Sequence, residues 1–221
     1  STTDFSTNQV AKTFTFAGNA QIDTAQKKFG TGSILFDGTG DYLTVADSSD
    51  FDFGTGDFTV DFWLRFTSVA GFQYYFGKHA WVAIGGGNNL EVYINSGTIL
   101  SDATWDPAID TWYHIAVARS GSTIDLFVNG AEVATASNSS DIQCSDSIGF
   151  GAVNDGGSAM SGWQEETRVS KGIARWTTTF TPPTAAYSST ALKTVNGTAY
   201  ASVKTINGTA VASVKTINGT A

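Results

Sequence analysis

The side chains that could do chemistry are few. Only four glutamates are present, Glu91, Glu132, Glu165 and Glu166. Glycoside hydrolysis needs two carboxylates lining one cleft. Glu165 and Glu166 are sequence neighbours, and on a strand neighbours point to opposite faces. The two histidines, His79 and His114, have no Ser or Cys nucleophile motif beside them, and no Gly-x-Ser-x-Gly turn occurs. The single cysteine, Cys144, follows Asp141-Ile142-Gln143 and has no basic neighbour to hold a thiolate. It reads as a small buried residue, and no internal disulfide can form. Seven Asp fall within Asp37–Asp61. They lack the spacing of a calcium loop, so turn formation and solvation are the expected roles. No catalytic residue is expected.

Recognition has more to work with. A sugar site needs aromatic platforms beside Asn, Asp and Gln side chains. Trp63 lies on the face of its strand opposite the apolar stripe. Trp81 and Trp105 adjoin loops, near Asn88, Asn89 and Asp106. With Tyr74 and Tyr75 these form the candidate ligand-binding set. Each ring has core packing as its alternative role, and in an oligomer the same rings could anchor an interface. The sequons at Asn138, Asn196, Asn207 and Asn218 are discounted, because Asn-Gly is first a turn signal.

The elements that would position these residues are strands. Of 221 residues, 41% are hydrophobic, 13% aromatic and only 14% charged, with 24 Gly and 3 Pro. Strong helix formers are scarce and β-formers abundant, so an all-helical fold is excluded. The clearest strand is Phe58–Thr67. Phe58, Val60, Phe62, Leu64 and Phe66 share one face, and Thr59, Asp61, Trp63, Arg65 and Thr67 the other. Trp112–Arg119, Ile124–Val128 and Ala131–Ala134 follow, joined by Ser120-Gly121 and Asn129-Gly130. Further strands are expected at Ser33–Phe36, Tyr42–Val45, Trp81–Ile84, Leu90–Ile94, Ser147–Phe150 and Gln164–Val169, and a short helix near Ser170–Arg175. Phe58, Val60, Phe62, Leu64, Ile124, Leu126 and Val128 are the expected core between two sheets.

The C-terminus repeats itself. LKTVNGTAYAS, VKTINGTAVAS and VKTINGTA run from Leu192 with a period of eleven. Val, Ile, Thr and Asn-Gly content favours short hairpins over a helical supercoil. Such repeats cannot bury a core alone. The tail therefore docks, pairs with other chains or acts as a linker. Its apolar members, Val195, Tyr200, Val203, Ile206, Val211, Val214 and Ile217, are the candidate assembly residues.

Several segments together resemble a family. Gly30–Val45, GTGSILFDGTGDYLTV, is similar to the opening strands of concanavalin A-like, laminin-G-type jelly rolls. Phe58–Phe66 resembles their second-sheet strand. Thr111–Val133, TWYHIAVARSGSTIDLFVNGAEV, resembles their tryptophan strand and Asn-Gly hairpin. Gly162–Pro183, GWQEETRVSKGIARWTTTFTPP, resembles their closing strand. The resemblance covers about residues 10–187 and implies an all-β fold, an antiparallel two-sheet jelly-roll sandwich over 1–189. The β-prone repeat tail takes 190–221. It implies no required cofactor but allows one structural Ca²⁺, held by the Gly32 carbonyl and by Glu165, which stands where the family usually has Asp. Glu165 paired with Arg168 or facing solvent is the alternative. Gln164 stands where the family usually has an apolar residue.

Function follows as an expectation. The resemblance is to domains of bacteriophage virion and tail proteins and of bacterial surface proteins. It points to a non-catalytic structural or adhesive subunit of an extracellular assembly, foremost a phage decoration or tail protein. The alternative is a carbohydrate-binding module for a cell-surface or algal polysaccharide, and a remote one is a glycoside hydrolase. Expected partners are further copies, other virion or surface proteins, and glycans. The formal net charge of −8 and the lack of a basic stripe argue against nucleic acid. No run of eighteen apolar residues occurs, so no membrane insertion is expected. No signal peptide is visible in STTDFSTNQV, and an extracellular or virion-surface location is expected.

Overall fold

The computed structural model describes residues 12–77, 82–86, 89–153 and 155–187, and the backbone of 194–195, 198–199, 205–206 and 209–210. The chain divides into two units, Lys12–Ala186 and a second unit of Ser1–Ala11 with Tyr187–Ala221. In the first unit the strands are β1 Phe14–Ala17, β2 Gln21–Asp23, β3 Ser33–Asp37, β4 Tyr42–Val45, β5 Phe58–Ser68, β6 Gln73–Gly77 and β7 Val82–Gly86. They continue as β8 Leu90–Ile94, β9 Gly97–Asp102, β10 Trp112–Ser120, β11 Thr123–Val128, β12 Ala131–Ser137, β13 Ile148–Phe150 and β14 Ser161–Lys171. Two antiparallel sheets of seven result. The first runs β1-β4-β13-β6-β7-β8-β9 and the second β12-β11-β10-β5-β14-β3-β2.

The period of two in β5 explains the layering. Phe58, Val60, Phe62, Leu64 and Phe66 point between the sheets and are fully buried. Leu43, Val45, Phe76, Ile84, Val92 and Leu100 meet them from the first sheet, and Ile115, Val117, Ile124 and Leu126 flank them in the second. Of the expected core residues only Val128 stays half-buried. The Asn129-Gly130 hairpin forms with φ of 48° and 80°, the positive values a two-residue turn requires.

The expected helix at Ser170–Arg175 is absent. Strand β14 continues to Lys171, Gly172 turns the chain at φ 77°, and no regular element follows. The Gly172 amide donates to the Asp57 carbonyl at 2.7 Å, and Arg175 donates through Nε to Ser170 Oγ at 2.7 Å. Tertiary bonds have replaced the helical ladder. Among the described residues the one helical turn is Ser49–Phe51, capped by Ser48.

Two buried polar side chains contrast sharply. Arg119 is fully buried, with its guanidinium over the Phe58 ring at 5.2 Å. Nε donates to the Gly56 carbonyl at 2.8 Å, Nη1 to Ser140 at 2.9 Å and Nη2 to Gly54 at 2.6 Å. It ties two loops to the sheet, while burial pulls its pKa below the ordinary arginine value. Gln164 is 2% exposed and faces the core opposite Leu64 and Ile34. Neither its amide nitrogen nor its oxygen meets a hydrogen-bond partner among the described residues.

In the second unit, β15 Thr194–Val195 pairs with β16 Thr198–Ala199, and β17 Thr205–Ile206 with β18 Thr209–Ala210. These pairs flank Asn196-Gly197 and Asn207-Gly208. Of the candidate assembly residues, Val195 and Ile206 lie on these strands. Tyr200, Val203, Val211, Val214 and Ile217 lie outside the described residues, as does the middle of the expected Thr198–Ile206 strand.

An amide buried without a partner costs about 1–3 kcal/mol. Gln164→Leu should therefore stabilise the protein by about that amount in urea denaturation. Destabilisation by a similar amount would show that the amide is satisfied.

Candidate functional site

The outer face of the second sheet is roofed. From β5, Thr59, Asp61 and Trp63 point away from the core, yet all three are buried. Residues 24–30 cover one end. The Phe29 ring meets Trp63 edge-on at 5.6 Å, and the Lys28 ammonium lies 4.3 Å from the Trp63 ring centre. Residues 172–180 cover the other. Trp176 stacks on Phe180 at 3.9 Å, and the pair packs against Ala116, Ala118 and Phe127. Only small side chains on β10 leave room for such a strap. Gly130 is equally necessary, because a Cβ there would sit 1.9 Å from the Phe180 carbonyl oxygen.

A polar knot lies under this roof. Arg168 donates to Asp61 through Nε at 2.9 Å and Nη2 at 3.0 Å, a bidentate pair. His114 Nε2 lies 3.3 Å from Asp61 Oδ2. The His114 ring contacts Trp63, Trp176 and Phe180 at 5.1, 5.6 and 5.7 Å. Asp61 and His114 are both fully buried. His114 is thus a packed residue beside the Asp61–Arg168 pair. Cys144 is also buried, and burial pushes its thiol up to about 11.

Glu165 serves the roof too. A bulge between Glu165 and Arg168 places Glu165 opposite Trp63 and Arg168 opposite Asp61. The extra residue turns both side chains to the outer face, with Glu166 at φ 53°. The Glu165 carboxylate accepts from the backbone N–H of Lys28 and from that of Phe29 at 2.8 Å. Burial raises its pKa, opposed by these two bonds. Asp23, which accepts from the Ala25 N–H at 2.7 Å and Trp163 Nε1 at 2.8 Å, is held below the usual carboxylate range by those bonds.

This arrangement does not fit the calcium site that Gly32 and Glu165 were expected to form. Ca²⁺ takes six to eight oxygens, whereas both Glu165 oxygens face N–H donors. Among the described residues no three His, Cys, Asp or Glu side chains converge where a metal could sit. Gly32 has a packing reason of its own, since a Cβ there would lie 2.8 Å from the Asp23 carbonyl oxygen.

The first sheet presents a different outer face. Tyr74, Gly85, Glu91 and Ser101 form one row across β6, β7, β8 and β9, and Tyr93 and Thr98 belong to the next. Phe72, just before β6, folds back over Gly85, where a Cβ would come within 3.1 Å of two of its ring carbons. Phe72 lies 5.1 Å from Tyr74 and 6.2 Å from Tyr93, and the two tyrosines are 6.3 Å apart. Phe72 is exposed and the tyrosines half-exposed. The Tyr93 hydroxyl donates to Glu91 Oε2. Burial, reinforced by that carboxylate, pushes the Tyr93 phenol up to about 12, and the same causes raise Tyr74.

The expected ligand-binding residues are therefore dispersed. Tyr74 stands in this aromatic cluster. Its neighbour Tyr75 points inward, 2% exposed, against Phe66. Trp105 is 6% exposed and packs on Phe66 and Tyr113, so it is core, not a loop platform. Trp63 is 5% exposed beneath its roof and offers no free face. Asn89 is half-buried at the β7–β8 turn, and Asp106 is exposed before β10. Trp81 and Asn88 lie outside the described residues. Sequence reasoning missed Phe72, Glu91 and Tyr93. The alternation of Leu90–Ile94 held the signal for the last two, whereas Phe72 sits in a turn and had none.

Two seven-stranded antiparallel sheets joined in this order define a lectin-type jelly roll. The family profile described as the concanavalin A-like lectin/glucanases superfamily matches residues 37–175, and the chain belongs to that laminin-G-type family. No curated protein matches by sequence. Among solved structures, domain 4 of AbnA, a GH43 extracellular arabinanase from Geobacillus stearothermophilus, in complex with arabinotriose, is similar. The TM-score is 0.50 at 17% identity, covering 73% of this chain and 82% of that one. The botulinum neurotoxin serotype D binding domain gives 0.55 at 13% identity, with 73% and 44% covered. The binding domain of botulinum neurotoxin DC in complex with SialylT gives 0.53 at 14%, with 73% and 43% covered. The chain thus spans less than half of each toxin structure. At these identities the likeness is one of fold. Among the described residues no helix is long and apolar enough to cross a membrane.

Because the Glu165 oxygens are held by backbone amides, EDTA should leave the melting temperature unchanged within about 1 °C. A fall that added Ca²⁺ reverses would restore the calcium site.

Proposed function

We propose that the jelly roll is a non-catalytic, extracellular adhesion module that binds a glycan. The observation that carries this reading is the asymmetry between the two outer faces. One is sealed by two segments over a charged knot, and the other displays Phe72, Tyr74 and Tyr93 beside a carboxylate. Amphipathic rings with a few polar groups are the usual furniture of a recognition surface. Against hydrolysis, Glu165 is buried by the roof and bonded to two amides, so the adjacent Glu165 and Glu166 cannot serve as acid and base across one bond. Similar structures holding arabinotriose and SialylT support a binding role at the level of fold. A broad glycan array probed with the full chain should give specific binding, and incubation with the bound polysaccharide should release no reducing ends. Silence across the array, or sustained release, would overturn the reading.

A second role rests on a separate observation. The repeat tail forms strand pairs on either side of Asn196-Gly197 and Asn207-Gly208, and pairs of two residues cannot stand alone in water. This supports the tail as an assembly element of a surface or virion-associated protein, such as a phage decoration or tail protein. Sedimentation should show a smaller species for a chain ending at Ser189 than for the full chain. Identical sedimentation would remove the tail from assembly.

A further inference from the structure

We propose that Phe72, Tyr74, Glu91 and Tyr93 form a subsite for an uncharged glycan chain, and that Glu91 excludes acidic glycans from it; this rests on the glycan-binding reading above. The rings and the carboxylate come from three stretches of the first sheet, the approach to β6, β6 itself and β8, with β7 between the last two. Gly85 lies between Tyr74 and Glu91 in the row and lets the Phe72 ring settle against the backbone. Ser101 and Thr98, the next members of the two rows, are short and exposed. The rings therefore stand above their surroundings, where the C–H face of a sugar can lie on them.

The polar groups set the ligand class. Glu91 is the one charged residue among the described residues paired into these rows, which otherwise hold Thr15, Thr44, Gly149, Gly77, Ala83, Tyr74, Gly85, Tyr93, Thr98 and Ser101. Its carboxylate accepts hydrogen bonds from sugar hydroxyls and repels uronate, sulfate or sialate, in a protein whose formal net charge is already −8. The bond from Tyr93 holds that carboxylate beside the rings. Because both phenols are raised, they remain protonated through the whole physiological range, which keeps the Tyr93 proton on its bond to Glu91.

Affinity electrophoresis of the full chain tests this, with arabinan, xylan and mixed-linkage glucan in one set of gels and polygalacturonate and heparin in another. At least one neutral polymer should retard the protein, and neither acidic polymer should. Phe72→Ala and Tyr74→Ala should each weaken the retardation constant about tenfold, with melting temperatures near that of the parent. Glu91→Lys should admit polygalacturonate. Undiminished neutral binding by folded Phe72→Ala and Tyr74→Ala proteins would overturn the subsite and leave the glycan-binding reading standing. Stronger retardation of the parent by an acidic polymer would overturn the charge assignment. Retardation by no polymer would remove the glycan-binding reading, and this subsite with it. Should Tyr74→Ala unfold, the exposed Phe72 decides alone.

Discussion

The central strand β5 is buried on both faces, and the rest of the second sheet is arranged to meet that requirement. A strand in a two-layer sandwich ordinarily presents one face to water. Here the second face carries Asp61 and Trp63, and leaving a carboxylate buried without partners would cost several kcal/mol. Arg168 supplies the countercharge, His114 fills the space beside it, and two segments from opposite ends of the domain close over all three. The strap from 172 to 180 takes the place of a regular element because its backbone groups bond to the sheet and its turns. Thr59 Oγ1 donates to the Ile173 carbonyl and accepts from the Arg175 amide, and the Phe180 amide donates to Gly130.

The bulge in β14 belongs to the same solution. In an unbroken strand, residues three apart lie on opposite faces. Glu165 and Arg168 are three apart, yet the roof needs both outside, one to fix the 24–30 segment and one to neutralise Asp61. One extra residue, absorbed with Glu166 at positive φ, reconciles the two demands. The same distortion directs both Glu165 carboxylate oxygens to backbone amides of the 24–30 segment.

The period of two in Phe58–Thr67 and the Asn-Gly turns made the strands and the core stripe legible, and the ordered motifs made the jelly roll legible. The state of the second face was not. Alternation places Trp63 opposite the core stripe but cannot say that Phe29 and Lys28, over thirty positions earlier, will cover it. Trp105 reads as a loop residue because Asp106-Pro107 follows it, yet its ring fills the core beside Phe66. The helix expected at Ser170–Arg175 failed for the same reason, since local propensity there yields to long-range bonds with β5 and Gly130. Tyr74 and Tyr75 must face opposite ways by alternation, and only the β6–β7 pairing decides that Tyr74 is the one turned outward.

The two faces of this sandwich therefore divide labour by composition. The second sheet has large and charged outer side chains, which demand cover and obtain it. The outer rows of the first sheet are largely Gly, Ser and Thr, which demand none. A face of small residues can stay open to water without destabilising the fold, so the few large side chains placed on it are not required for packing the sandwich. Phe72 is exposed and touches mainly Gly85, Tyr74 and Tyr93. An apolar ring held there, against a row that would be stable without it, is better explained by what it meets from outside than by what it holds together within.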